Sequence, residues 1–243
     1  MSPELFAFLL ASLAGLATLA GAGLALLRRD HSPRLLAGSL AFAAGAMLLV
    51  SFWEILPEAA AKLGAWWPAL FLAGAGALLV VAMQAGLDKL APDRGRHSRV
   101  GLLVALAIGL HNLPEGAAPF VSALASPEAG LVIALAIALH NIPEGIAVVS
   151  PMLAGGASTV RALAFAAVAG LAEAMGAGIA WLFVAWLSAP VIGGMLAVVA
   201  GIMVWLSLAE LLPAARRATR GPAPVYGTAT GMAAMALSLL ALG

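Results

Sequence analysis

Apolar runs of twenty or more residues alternate with short polar, Gly- or Pro-marked breaks along the whole chain. They predict eight helices, over roughly 4–27, 35–60, 67–90, 99–124, 128–153, 159–187, 190–214 and 223–242. A membrane-spanning helix needs about 20 predominantly apolar residues, so each run can cross a bilayer. The breaks leave no room for an interposed domain. Residues 1–243 are therefore read as one all-α polytopic membrane domain. The first run, Leu5 to Leu27, lacks the basic leader of a cleaved signal peptide and is too long for one, so it is read as a retained span.

Composition sharpens this picture. The chain is 63% hydrophobic and 9% charged, against about 25% charged in a soluble domain. Lipid, not water or nucleic acid, is the surrounding such a surface fits. Cys is absent, which excludes disulfides, thiolate metal sites and iron–sulfur clusters. The basic residues fall on one side. Arg28, Arg29, Arg34, Lys89, Arg94, Arg96, Arg99, Arg161, Arg216, Arg217 and Arg220 share the loops at one end, and only Lys62 lies at the other. The positive-inside rule makes the eleven-residue side cytoplasmic and puts both termini outside.

Two segments repeat. Val104 to Ala118 reads VALAIGLHNLPEGAA, and Ile133 to Ala147 reads IALAIALHNIPEGIA. They lie in successive helices, 4 and 5, which run in opposite directions. A weaker pair, SFWEILPEA from Ser51 and SLAELLPAA from Ser207, lies in helices 2 and 7 and is again antiparallel. The fold expected is an inverted repeat, helices 1–3 and 6–8 around the paired helices 4 and 5, with a binding site at the repeat interface.

Glu54, Glu58, Glu115, Glu144, Glu173 and Glu210 fall inside the apolar runs, and no Lys or Arg lies deep enough to pair with the central ones. An acid at mid-bilayer costs about 2.5–3.5 kcal/mol and marks function by default. His111, Asn112 and Glu115 share one helix face, as do His140, Asn141 and Glu144, and Glu173 is near the middle of helix 6. Pro114 and Pro143 free the carbonyls of Leu110 and Leu139 and are expected to kink their helices. Imidazole, amide and carboxylate without thiolate suit Zn, Fe, Mn, Co or Cd as divalent ions. Kink motifs with satisfied polar groups and a proton relay are the plainer alternatives. Glu54, Glu58 and Glu210 are candidates for ligands at the two mouths, or ordinary interfacial acids. His31 and His97 read as solvated loop residues.

HNLPEG and HNIPEG, with SFWEILPEA, GLAEAMG around Glu173 and VAGIMVWLSLAELLP, resemble the ZIP (Zrt/Irt-like) family of metal transporters, in particular its bacterial ZupT-type branch. The resemblance implies eight helices with both termini outside, in a bacterial cytoplasmic membrane, and metal movement into the cytosol. It implies a binuclear site: His111, Glu115, His140 and Glu144 at one metal, and Asn112, Asn141 and Glu173 at a second, bridged by Glu115 and Glu144. It also implies an elevator-type motion of helices 1, 4, 5 and 6. Ala174 and Ala209 stand where relatives often have Pro and Asp, and His140 where some have Gln. The metal is cargo, and no catalytic cofactor is expected. Divalent ions and lipid are the expected partners, with a homodimer as the candidate assembly. The competing class is an intramembrane metal-dependent hydrolase, although HExxH is absent.

Overall fold

The computed structural model describes residues 1–27, 32–90, 96–186 and 188–242. The side chains of some helical positions, His111 and His140 among them, lie outside the described set, as do Arg28, Arg29 and Arg94. Among the described residues the chain is helical throughout. The long helices are α1 (Pro3–Leu27), α2 (Pro33–Leu63), α3 (Trp66–Leu90), α4 (Arg96–Ala125), α5 (Pro127–Ala154), α6 (Thr159–Leu182), α7 (Ala189–Ala218) and α8 (Ala223–Leu242). All but α4 are, among the described residues, long and apolar enough to cross a membrane. Helix α4 has 30 residues, a length of about 45 Å, but carries the polar HNLPEG stretch and basic residues in its first turn.

Serine and proline begin several helices. Ser2 and Ser32 accept the N–H of Leu5 and Leu35 (3.2 and 3.3 Å), and each precedes a proline in the first turn. Such caps satisfy donors that the helix itself cannot. Between α4 and α5, Ser126 donates to Glu128 Oε2 at 2.8 Å, which holds that carboxyl below its ordinary range. An ionised acid thus marks the edge of the apolar zone. Helix α6 stops at Leu182 and not near 187: Phe183 leaves the helical region and a single 3₁₀ turn, Val184–Trp186, follows. The sequence stays apolar there, but its side chains are exposed.

Glycine decides which helices touch backbone to backbone. An added Cβ on Gly116 would overlap the Glu173 carbonyl, and one on Gly176 the Leu113 carbonyl, joining α4 to α6. Gly145 and Gly21 do the same against the carbonyls of Thr18 and Ile142, joining α5 to α1. Gly15 and Gly170 face each other where α1 crosses α6. On the other side Gly45 and Gly231 bind α2 to α8, and Gly76 and Gly201 bind α3 to α7. The offset from Gly15 to Gly170 recurs, within one residue, from Gly21 to Gly176, Gly45 to Gly201 and Gly76 to Gly231. The repeat therefore extends over all eight helices. Among the described glycines no such contact crosses from the group α1, α4, α5, α6 to the group α2, α3, α7, α8.

The repeat also contains two wide turns. Helix α2 passes through a π-helical segment at Ser51–Ile55, and α7 through one at Leu206–Leu211. Each begins near a serine whose hydroxyl donates one turn back, Ser51 to Met47 (2.7 Å) and Ser207 to Met203 (2.8 Å). Each precedes a proline, Pro57 or Pro213, whose ring clashes with an ordinary helical turn. π-Turns concentrate at functional positions, and these carry Glu54 and Glu210.

Close approach predicts an inequality among glycines of one bundle. Gly145→Leu forces α5 off α1 and should lower the melting temperature in detergent, by overpacking worth about 1–3 kcal/mol or more. Gly109→Ala, at a position with open space around it, should leave the midpoint unchanged or raise it. Thermal unfolding of the purified variants checks both.

Candidate metal site

The two HNxPEG stretches place their polar faces inward because the glycine after each glutamate lies against another helix. Asn112, Glu115, Asn141, Glu144 and Glu173 are all buried. Helices α4 and α5 remain helical through Pro114 and Pro143. The π-helical turns lie in α2 and α7.

The amides are held by main chain. Asn112 Nδ2 donates to the Ala169 carbonyl on α6 at 3.0 Å, and Asn141 Nδ2 donates to the Ala14 carbonyl on α1 at 3.0 Å. Ala14 and Ala169 are related by the same offset as Gly15 and Gly170, so the two bonds are one interaction made twice. Asn141 Nδ2 also donates to Glu173 Oε1 at 2.5 Å, which brings α5 and α6 together at the site. With each NH₂ group committed, the carbonyl oxygens Asn112 Oδ1 and Asn141 Oδ1 are buried and have no hydrogen-bond partner among the described residues. A buried acceptor left without a donor costs about 1–3 kcal/mol. An oxygen in that condition suits a cation.

Residues of every element expected at the site are thus brought inside: Asn112 and Glu115 from α4, Asn141 and Glu144 from α5, and Glu173 from α6. His111 and His140 belong to the same helical turns, but their side chains lie outside the described set. Among the described residues no group of three His, Cys, Asp or Glu side chains forms a metal cluster. The outer acids differ from one another. Glu54 and Glu58 are exposed, Glu210 is buried, and Glu58 pairs with Lys62 at 3.0 Å.

A cavity of about 790 Å³ connects that exposed end to the site. Its lining includes Glu54, Glu58 and Lys62 at the mouth, Ala118 and Val132 along the wall, and Glu115 at the floor. Two repeat-related positions at the opposite, arginine-bearing end are packed: Val132 is 42% exposed and its counterpart Leu103 is 3% exposed, and Ala147, the counterpart of Ala118, is fully buried. A second cavity, of about 570 Å³, lies at that end beside Arg34, Ser39 and Ser150. Among the described residues the two ends of a symmetric framework therefore differ at these positions.

The sequence has known relatives. The sequence profile described as ZIP Zinc transporter matches residues 84–239. The chain belongs to the ZIP zinc transporter family. It is 43% identical to the zinc transporter ZupT of Corynebacterium efficiens over 97% of both chains. The ZupT of Escherichia fergusonii is 43% identical over 96% of both, and that of Chlorobium phaeovibrioides 42% identical over 97% of both. ZIP proteins are transporters, so the hydrolase reading is set aside. With its apolar helices and bacterial ZIP relatives, the chain is an integral inner-membrane protein.

The absence of native cysteine makes the asymmetry directly measurable. A cysteine at Ala118 should react with a membrane-impermeant thiol reagent applied from the Glu58 face, and a cysteine at Ala147 should not react from either face in the same conformation. Equal protection of both positions would contradict the open cavity.

Proposed function

We propose that this ZIP protein carries divalent transition-metal ions, zinc foremost and Fe, Mn, Co and Cd as further candidates, across the bilayer into the cytosol. The binding residues are His111, Asn112, Glu115, His140, Asn141, Glu144 and Glu173, arranged as a binuclear site in α4, α5 and α6. The observation that carries this reading is the pair of buried amide oxygens, Asn112 Oδ1 and Asn141 Oδ1. Both amides are anchored to main chain through Nδ2, both stand three residues before a buried glutamate, and Asn141 also touches the buried Glu173. Two buried amide oxygens without a donor, on helices that also carry buried carboxylates, favour a bound cation over a proton relay or a purely structural network.

The orientation belongs to the same proposal. Helix α4 is the eighth span, the arginine-bearing loops are cytoplasmic and both termini are outside. The cavity then opens outward, and Glu54 and Glu58 form an external vestibule above Glu115. An incoming ion exchanges its water for these oxygens in steps, and the acids at the mouth raise its local concentration. A cysteine at position 96 should be labelled only from the cytosolic side; labelling from outside intact cells would refute the topology.

The central test removes one shared carboxylate. Glu144→Ala should abolish metal uptake in proteoliposomes while keeping the wild-type elution volume and helical content, and Glu115→Ala should act likewise. Wild-type uptake by either folded variant would show that the ions travel elsewhere.

The two metals sit in unlike surroundings. The first has imidazole and carboxylate ligands, and the second has amide and carboxylate oxygens only. Softer ions depend more on imidazole, so His140→Asn should depress Zn and Cd uptake more than Mn uptake, and Glu173→Ala should weaken the oxygen site without emptying the other. Because imidazole ligates only when neutral, Zn uptake without an imposed proton gradient should fall as pH drops through the histidine range. A competition panel at matched expression reads this difference, and equal losses for every ion would merge the two sites into one.

A further inference from the structure

Thr18 is the repeat counterpart of Glu173. It stands between Gly15 and Gly21 on α1 as Glu173 stands between Gly170 and Gly176 on α6. The geometry matches the sequence. A Cβ built on Gly170 lies 3.4 Å from Thr18 Cβ, and one built on Gly15 lies 3.1 Å from Glu173 Cβ. The two side chains thus start from equivalent places on either side of the α1–α6 crossing. Both residues are 0% exposed.

The hydroxyl of Thr18 has no hydrogen-bond partner among the described residues. It shares that condition with Ser238 Oγ, on a helix outside the site, and differs from the helical hydroxyls of Ser12, Ser39, Ser51, Ser207, Thr228 and Thr230, each of which donates to the carbonyl four residues back. For Thr18 that carbonyl belongs to Ala14, and it accepts Asn141 Nδ2 instead. The carbonyl that would be its usual acceptor is engaged by a residue of the candidate site, and the hydroxyl does not share it. At Leu16, two residues before Thr18, the turn tightens: the Leu16 carbonyl accepts from Leu19 N–H (3.0 Å) as well as from Ala20 N–H (3.3 Å).

We infer that Thr18 is an eighth residue of the metal site, a neutral oxygen donor on α1 in the position that the repeat fills with Glu173 on α6. The inference rests on the metal-transport reading above. The hydroxyl acts on the metal or on a water that the metal carries, from the side of Asn112, the repeat counterpart of Asn141. An alcohol oxygen is a hard, uncharged ligand, so its contribution favours ions that retain water, such as Mn²⁺, over Zn²⁺. It also makes the halves unequal: a carboxylate holds the ion on one side, and a ligand without net charge on the other permits its release.

The test compares Thr18→Val with Thr18→Ser in the full-length protein. Valine keeps the shape and removes the oxygen; serine keeps the oxygen and removes a methyl group. Titration calorimetry with Mn²⁺ and Zn²⁺ on detergent-purified protein is paired with uptake in proteoliposomes and with thermal unfolding. Thr18→Val should weaken Mn²⁺ binding about tenfold and Zn²⁺ binding less, raise the Mn²⁺ KM in proportion, and keep the wild-type Tm without metal. Thr18→Ser should stay within about twofold of wild type in binding. A role in packing alone predicts the opposite order, with serine worse than valine, and that order would overturn the inference. So would wild-type binding and KM in Thr18→Val. If Glu144→Ala abolishes binding while Thr18→Val is unaffected, only the role of Thr18 falls. If the wild-type protein binds and transports neither ion, the transport reading falls with it.

Discussion

The bond between a side-chain amide and the main chain of a neighbouring helix is the interaction on which the interior depends. Asn112 reaches Ala169 and Asn141 reaches Ala14, each at 3.0 Å. These distances exist only because Gly116 and Gly145 bring α4 and α5 into backbone contact with α6 and α1. In lipid there is no hydrophobic drive to press helices together, so close packing of small residues must supply the attraction. The same contact that provides adhesion also fixes the amide. Its NH₂ end is anchored and its oxygen is turned inward. Packing and the chemistry of the candidate site are therefore one constraint, and a glycine of the fold also sets the place of a buried amide oxygen.

Much of this was legible in the sequence, for physical reasons that can be named. Apolar runs report helices in lipid directly, because the bilayer sets their minimum length. The duplicated HNxPEG stretches reveal the antiparallel pair and put Asn112 with Glu115, and Asn141 with Glu144, on shared helix faces. Glu173 was found because an acid in an apolar helix has no cheaper explanation. The turns at Ser51–Ile55 and Leu206–Leu211 were not anticipated, although the recurring Ser, Glu and Pro spacing in α2 and α7 was their signal. Pro114 and Pro143 do not end their helices, which continue through both positions, since a helix buried among neighbours can lose one internal bond and stay helical.

Thr18 shows why some of a site stays hidden. A single hydroxyl in an apolar helix normally bonds to its own backbone, as Ser12 and Ser39 do. Sequence cannot show that Ala14 gives its carbonyl to Asn141, which is far away along the chain. Nor does the repeat announce itself there, because threonine and glutamate do not align by type. Only the framing glycines, Gly15 and Gly21 against Gly170 and Gly176, reveal the correspondence. A functional position can thus be carried by the spacing of its neighbours more clearly than by its own identity.

The pattern of glycine contacts bears on movement. All those described fall within the group α1, α4, α5, α6 or within the group α2, α3, α7, α8, and none joins the two. Backbone-to-backbone contact resists sliding, because carbonyls interlock with Cα atoms, whereas a seam of Leu, Val and Ile side chains can repack. The large cavity lies on that seam, with α4 and α5 on one wall and α2 and α7 on the other. The candidate site lies wholly in the first group. An inverted repeat lets each half adopt the conformation of the other at similar free energy. Val132, exposed at the Glu58 end, and Leu103, packed at the arginine end, are then two local states of one design. A shift along the seam would exchange them and leave both interlocked groups intact. A site held by α1, α4, α5 and α6 would travel with its group, its amide anchors undisturbed, and meet the opposite face of the membrane with the same ligands.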